Sequence, residues 1–202
     1  QLTEVLMFHK DMNKQQAKER CKEMLSLVGI ANPDNCLKKY PFELSGGMQQ
    51  RVMIAMALSC EPALLIADEP TTALDVTIQE QILDLIADLN EKLGMSVLFI
   101  THDLGAMAQL CHSVRVMYLG NLVEEAETEE LFSNPLHPYT KALLSAVPIP
   151  NPTLERQKAL LVYNPAMHDY SSDKPVWEEI KPGHFVYGNQ IELEQYRKEL
   201  NI

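Results

Sequence analysis

Ala63-Leu64-Leu65-Ile66-Ala67-Asp68-Glu69-Pro70 is an apolar run that stops abruptly at two carboxylates and a proline. A run this short and this apolar reads as a strand buried on both faces, the habit of parallel sheets. Downstream, Asp75 precedes a long amphipathic segment in which Ile78, Ile82, Leu85, Ile86 and Leu89 recur along one helical face, and Gly94 closes it. A second buried strand, Met95 to Ile100, then ends in Thr101-His102-Asp103. Strand, helix, strand predicts a right-handed βαβ unit, whose ligands gather at the carboxyl ends of the strands. Both polar clusters stand at those ends.

The chemistry of the clusters suits nucleotides. Asp68 and Glu69 are neighbours on a strand end, so their side chains point different ways and can do different jobs. In nucleotide hydrolysis one carboxylate at such a place holds Mg²⁺, usually through water, and a second orients or deprotonates the attacking water. His102, after the second strand, can hydrogen-bond a γ-phosphate from the strand end.

Upstream lies Leu44-Ser45-Gly46-Gly47-Met48-Gln49-Gln50-Arg51, followed by the apolar run Val52 to Leu58. A serine and two glycines before a helix present free N–H groups and a hydroxyl without side-chain obstruction, at the end where the helix dipole favours anions. Phosphate is the usual guest there.

Before this segment the chain is helical. Apolar Leu2, Val5, Leu6 and Phe8 fit a helix already under way at the first residue. Asn13 and Gln16 form a capping box for a second helix with Ala17, Cys21, Met24, Leu25 and Val28 on one face, ended by Gly29. Asn32-Pro33-Asp34 opens a turn, and Tyr40-Pro41-Phe42 leads to Leu44. After His102 the pattern predicts a short helix from Leu104 to Leu110. A hairpin follows, with strands Val114 to Leu119 and Leu122 to Glu124 joined by Gly120-Asn121. Five glutamates between Glu124 and Glu130 read as a solvated face and the first turn of a short helix. Eight of the 12 prolines lie from Pro135 onward, which places a boundary near residue 134. Beyond it come a helix from Tyr139 to Val147, an extended Pro-rich connector, and a terminal helix near Ile191 to Leu200.

Composition narrows the function. The 202 residues carry 46% hydrophobic side chains, enough for a real core. A formal charge of -11 without a Lys/Arg cluster argues against a nucleic-acid backbone as partner. No apolar stretch approaches the ~20 residues that span a bilayer, so membrane contact is expected to be peripheral. Cys21, Cys36, Cys60 and Cys111 show no ligand-like spacing and read as buried thiols in a reducing compartment. The first residue is Gln1 and no leader pattern follows it, which reads as a start internal to a longer protein.

Taken together, the octapeptide from Leu44 resembles the signature motif of ATP-binding cassette (ABC) ATPases. Ala67-Asp68-Glu69-Pro70 likewise resembles their Walker B motif with its catalytic glutamate, Ala73-Leu74-Asp75 the loop that crosses to the partner subunit, and His102 the switch histidine. All four occur in the family's order. Asn134-Pro135-Leu136-His137-Pro138-Tyr139-Thr140-Lys141-Ala142-Leu143-Leu144 resembles, more narrowly, the C-terminal extension of oligopeptide and dipeptide importer ATPases.

The resemblance implies an α/β fold. Residues 1–43 would be part of the helical subdomain, 44–133 the parallel-sheet, RecA-like catalytic core, and 134–202 the extension. It implies ATP and Mg²⁺ as cofactors, with Glu69 and His102 catalytic and Asp68 on the metal through water. Ser45, Gly46, Gly47 and Gln49 would bind ATP held by the opposite subunit, and Asp75 would be an intersubunit contact. The implied partners are a second ATPase subunit, integral membrane permease subunits and, indirectly, an extracytoplasmic peptide-binding protein, at the cytoplasmic face of the membrane.

Two departures stand out. No phosphate-cradling G-x-x-x-x-G-K-[ST] loop occurs in the 202 residues; Gly183-His184-Phe185-Val186-Tyr187-Gly188 has the glycine spacing, but Asn189-Gln190 follow it. No cysteine follows Cys111, so an iron–sulfur site of the kind some relatives carry is not expected. A chromosome or DNA-repair ABC ATPase, which needs a long coiled coil before the signature, fits less well, whereas the 202 residues by themselves, without the phosphate cradle, are expected to be a non-catalytic ABC fragment.

Overall fold

The structure, a computed structural model, describes residues 1–148 and 151–202. The chain forms two compact units, Gln1–His102 and Asp103–Ile202.

The first unit opens with α1 (Leu2–His9) and α2 (Lys14–Leu27), followed by a short α3 (Pro33–Cys36) and a 3-10 turn, Pro41–Glu43. The capping box forms as expected: Asn13 Oδ1 accepts from the amides of Gln15 and Gln16 at 3.0 Å each, and Gln16 Oε1 accepts from Asn13 N at 3.0 Å. Asn32 caps α3, so the expected turn closes into one helical turn with Pro33 in the first position. Gly29 ends α2 at φ +81, and a Cβ there would meet Arg51 Nη1 at 3.0 Å. That guanidinium donates to Val28 O at 2.6 Å, pinning the following helix α4 (Gly46–Leu58) to the end of α2.

Strands β1 (Leu64–Asp68) and β2 (Ser96–Ile100) pair in parallel around α5 (Val76–Leu93), with Leu64 opposite Ser96 and Asp68 opposite Ile100. The helix and strand assignments hold, but the expectation that both faces of the strands are buried does not. Strand alternation sends Leu65 into a core with Leu25, Ile54, Leu58, Ile82, Ile86 and Leu89, and sends its neighbours the other way. Leu64, Ile66, Leu98 and Ile100 are 45 to 60% exposed. Helices cover one face of this pair, and the other stays open to solvent.

The second unit begins with α6 (Leu104–Leu110), capped by Asp103 through the amides of Gly105 and Ala106. Its centre is an antiparallel sheet in the order β3-β4-β6-β5, built from β3 (Ser113–Tyr118), β4 (Asn121–Glu127), β5 (Val176–Lys181) and β6 (His184–Gly188). Around it lie α7 (Thr128–Ser133), α8 (Pro138–Ser145), α9 (Pro152–Gln157), a 3-10 turn Pro165–Met167, and α10 (Gln190–Glu199).

Three sequence expectations are corrected in this unit. The hairpin turn is Leu119-Gly120, at φ +47 and +83, one residue earlier than the expected Gly120-Asn121. Asn121 instead pairs with Tyr118, and β4 runs on to Glu127. The supposed extended connector contains the β5–β6 hairpin, turned at Gly183 with φ +77; its residues 149 and 150 lie outside the described residues. The glycine-spaced stretch that mimics a phosphate loop is thus a sheet strand.

Third, Glu124 is not on a solvated face: it is fully buried. Its carboxylate accepts from the amides of Leu136 (2.7 Å) and His137 (3.0 Å) and faces His184 Nε2 at 2.9 Å. The other ring nitrogen of His184 faces Glu130 at 3.1 Å, and Glu130 pairs with Lys181 at 2.7 Å. A buried carboxylate survives only with such partners. Among the cysteines, Cys21 and Cys36 are buried and Cys60 and Cys111 are partly exposed, and all four are free thiols.

Candidate functional site

Every residue singled out for nucleotide chemistry lies in the first unit. Asp68 is the last residue of β1, exposed, and its carboxylate takes no hydrogen bond or ion pair from the described residues. Beyond it the chain turns sharply. Glu69 N donates to Ile100 O at 2.8 Å, extending the β1–β2 ladder by one bond, and Glu69 then takes a left-handed conformation at φ +45. A second left-handed residue, Ala73 at φ +66, brings the chain to α5. Non-glycine residues in this region are strained by roughly 1–3 kcal/mol each and cluster at functional sites.

The turn changes where Glu69 points. Its carboxylate leaves the strand register and meets His102, with Nδ1 at 3.1 Å from Oε1. The hydroxyl of Thr72 donates to Oε2 at 2.9 Å. The Thr72 hydrogen bond, then the His102 hydrogen bond, hold the Glu69 carboxyl below the usual carboxylate range. An ionised Glu69 accepts both bonds, with His102 Nδ1 as the donor of the second. Adjacent carboxylates thus have separate environments, as expected, but because Glu69 turns out of the strand rather than through strand alternation.

Ser45 caps α4, but weakly: its Oγ lies 3.4 Å from Met48 N, at the long limit of such a bond. The amides of Gly46 and Gly47 are first-turn donors without intrahelical partners. The glycines also have a packing reason. A Cβ on Gly46 would lie 3.3 Å from Leu74 Cδ2, and one on Gly47 only 2.8 Å from Ile78 Cγ2. Helix α4 therefore packs tightly on the loop after Glu69, and so closely on the first turn of α5 that a side chain at Gly47 would force Ile78 to shift.

Gln49 Nε2 donates to Pro41 O at 2.8 Å and Leu44 O at 3.1 Å, so its amide braces the turn before Ser45. Asp75 caps α5, its Oδ1 accepting from Ile78 N at 3.0 Å. Sequence reasoning gave Thr72, Leu74 and Ile78 no individual part in shaping the site. The spacing of three residues between Glu69 and Thr72, the reach of a side chain across one turn, was the available signal for the first; the other two depend on which helices meet.

One exposed carboxylate, Asp68, is a hard oxygen donor of the kind Mg²⁺ takes together with substrate phosphates and water. Among the described residues no group of three or more His, Cys, Asp or Glu could hold a metal ion. No helix of the described residues is long and apolar enough to cross a membrane.

Comparison with known proteins bears on the whole chain. The family model described as "ABC transporter" matches residues 1–72, and that described as "Oligopeptide/dipeptide transporter, C-terminal region" matches residues 123–172. The chain is 51% identical over 187 residues to the oligopeptide transport ATP-binding protein OppF of Streptococcus pyogenes serotype M1, covering 93% of this chain and 60% of that protein. It is 57% identical over 148 residues to the probable peptide ABC transporter ATP-binding protein y4tR of Sinorhizobium fredii, covering 73% of this chain and 44% of that one. Among solved structures, the dimeric post-hydrolysis state of the ATP-binding cassette MJ0796, bound to ADP and Pi, aligns at TM-score 0.50 and 32% identity over 58% of this chain and 49% of its own. The chain spans at most 61% of the length of these curated relatives.

Proposed function

We propose that this chain belongs to the ABC transporter family and that its residues are the C-terminal part of an ATP-hydrolysing subunit that powers peptide import. Residues 1–43 then form part of the helical subdomain, 44–133 the catalytic core, and 134–202 the importer-type extension. The subunit works at the cytoplasmic face of the membrane, docked on permease subunits that an extracytoplasmic peptide-binding protein supplies.

In this reading two ATPase subunits close over two ATP molecules. Ser45, with the free amides of Gly46 and Gly47, meets the γ-phosphate held by the opposite subunit, where a helix N-terminus favours an anion. Gln49 holds the turn that presents Ser45. Asp68 is the residue that would hold Mg²⁺, through water; the ion, when bound, neutralises charge on the phosphates. Glu69 takes a proton from the water that attacks the γ-phosphorus, and His102 steers Glu69 through Nδ1. Asp75 stands where the two subunits meet. The phosphate-cradling loop comes from residues other than these 202.

The observation that carries the reading is the Glu69–His102 contact at 3.1 Å, with Glu69 ionised at the end of a parallel strand. A general base of this kind is worth roughly 10²–10⁴ in rate. Glu69→Gln in the full-length subunit is therefore expected to cut ATP hydrolysis by about that factor while ATP binding and dimer closure persist. Unchanged turnover would remove Glu69 from the mechanism.

A further inference from the structure

Thr71 and Thr72 are adjacent and chemically identical, yet their surroundings differ. Thr71 is buried and its carbonyl accepts from Gln79 Nε2 at 3.1 Å, which fastens the loop to α5. Thr72 is exposed and touches Glu69 twice: its amide donates to Glu69 O at 3.1 Å and its hydroxyl to Glu69 Oε2 at 2.9 Å. The backbone bond suffices to close the turn, so the hydroxyl bond is not needed for that.

What the hydroxyl bond fixes is the carboxylate. The Glu69 side chain is 46% exposed, so packing leaves its rotamers largely free. A glutamate in that state samples several orientations, and each lost rotamer must be compensated by a bond. Here the two oxygens have different donors, the Thr72 hydroxyl on Oε2 and His102 Nδ1 on Oε1. A carboxylate gripped at both oxygens can neither rotate about its last bond nor swing away without breaking one of them, and each oxygen keeps a second lone pair for water.

We infer that Thr72 is a positioning residue for Glu69, its hydroxyl holding the carboxylate from the side opposite His102 in the one orientation that accepts a proton from the attacking water. The inference rests on the reading of Glu69 as the general base. Two effects oppose each other when the hydroxyl is lost. Glu69 becomes a slightly stronger base, because a bond to its charged form is gone, but it is no longer aimed. Misplacement costs more than basicity returns, since small displacements cost up to ~10²-fold.

The test is ATP hydrolysis by the full-length subunit in its transporter, measured across pH for the parent, Thr72→Val, Thr72→Ser, Glu69→Gln and the double variant Glu69→Gln/Thr72→Val. Valine keeps the shape of threonine and serine keeps the hydroxyl. Thr72→Val should lower kcat about 10-fold with KM for ATP little changed, and should move the acid limb of the kcat profile to higher pH. Thr72→Ser should restore both. In the Glu69→Gln background Thr72→Val should cost nothing further, because the two residues act as one unit.

A parent-like kcat and acid limb in Thr72→Val, alongside a slow Glu69→Gln, overturns the role of Thr72 and leaves Glu69 standing. An equal loss from Thr72→Val in both backgrounds makes Thr72 structural and overturns it too. Parent-like turnover in Glu69→Gln instead removes the base, and the role of Thr72 with it.

Discussion

Ile78, on the first turn of α5, occupies the space that any side chain on Gly47 would need: a Cβ there would lie 2.8 Å from Ile78 Cγ2. The glycine is thus required by packing inside the subunit, independently of any ligand. Gly47→Ala should destabilise the protein by about 1–3 kcal/mol, the usual result of overpacking. In an Ile78→Ala background the same substitution should cost nothing, or stabilise slightly, since alanine is the better helix former. Urea denaturation of the four-member cycle measures this; a cost that persists without Ile78 would assign the glycine's role elsewhere.

His137 makes the second unit sensitive to acid. It is buried at the start of α8, where Nδ1 accepts from Tyr139 N at 3.1 Å, and it stacks on His168. Burial, then the charges of His168 and Lys141, push its imidazole from 6.5 down to about 4. The unfolded chain therefore binds a proton that the folded chain refuses, so stability is fully present above about pH 6.5 and is lost as the pH falls towards 4. The loss approaches about 3 kcal/mol at its upper bound. His137→Asn keeps a capping side chain but cannot titrate, and should flatten the stability profile in that window. A profile equally steep in the variant would move the effect to another group.

Glu124 joins the loop before α8 to β6. Removing it by Glu124→Ala leaves the amides of Leu136 and His137 and the buried His184 without their acceptor. Loss of one partner from a buried charged set costs about 3–5 kcal/mol. Glu124→Gln, which keeps an acceptor oxygen, should cost less. The denaturation midpoint of the second unit reads both, and equal midpoints for parent and Glu124→Ala would rule the cluster out as its fastening.

Asp75 has two separable roles. As the N-cap of α5 it contributes about 1 kcal/mol, which Asp75→Ala should lose and Asp75→Asn should keep. As a proposed intersubunit contact it acts through its charge. Asp75→Asn in the full-length subunit should then leave stability unchanged while weakening ATP-dependent dimerisation. Parent-like dimerisation in Asp75→Asn would leave only the cap.

Local chemistry in the sequence foretold local structure well. The Asn13–Gln16 capping box, the helix between Asp75 and Gly94, and the short helix from Leu104 to Leu110 are bounded by their own neighbours, and each forms as read. The carboxylates at the end of β1 and the histidine after β2 were legible for the same reason. Features that depend on distant residues were not. Glu124 sits among glutamates that look solvated, and its burial is decided by His184, 60 residues on. The β5–β6 hairpin hides in a proline-rich stretch because its strands alternate weakly, their pattern set by pairing with β4 rather than by their own composition. The exposed outer face of β1 and β2 was hidden by composition alone, since a run of Leu and Ile looks the same whether one face is covered or two.

That open face also sets how the region moves. Two-stranded sheets are marginal by themselves, so in a polypeptide of these 202 residues alone, with helices on one side of β1–β2, the amides of this pair should open to exchange well below the free energy of global unfolding. Glu69 and His102 hang from the carboxyl ends of these two strands. Whatever covers Leu64, Ile66, Leu98 and Ile100 in a longer protein would steady both strands and lengthen the lifetime of the 3.1 Å contact between Glu69 and His102.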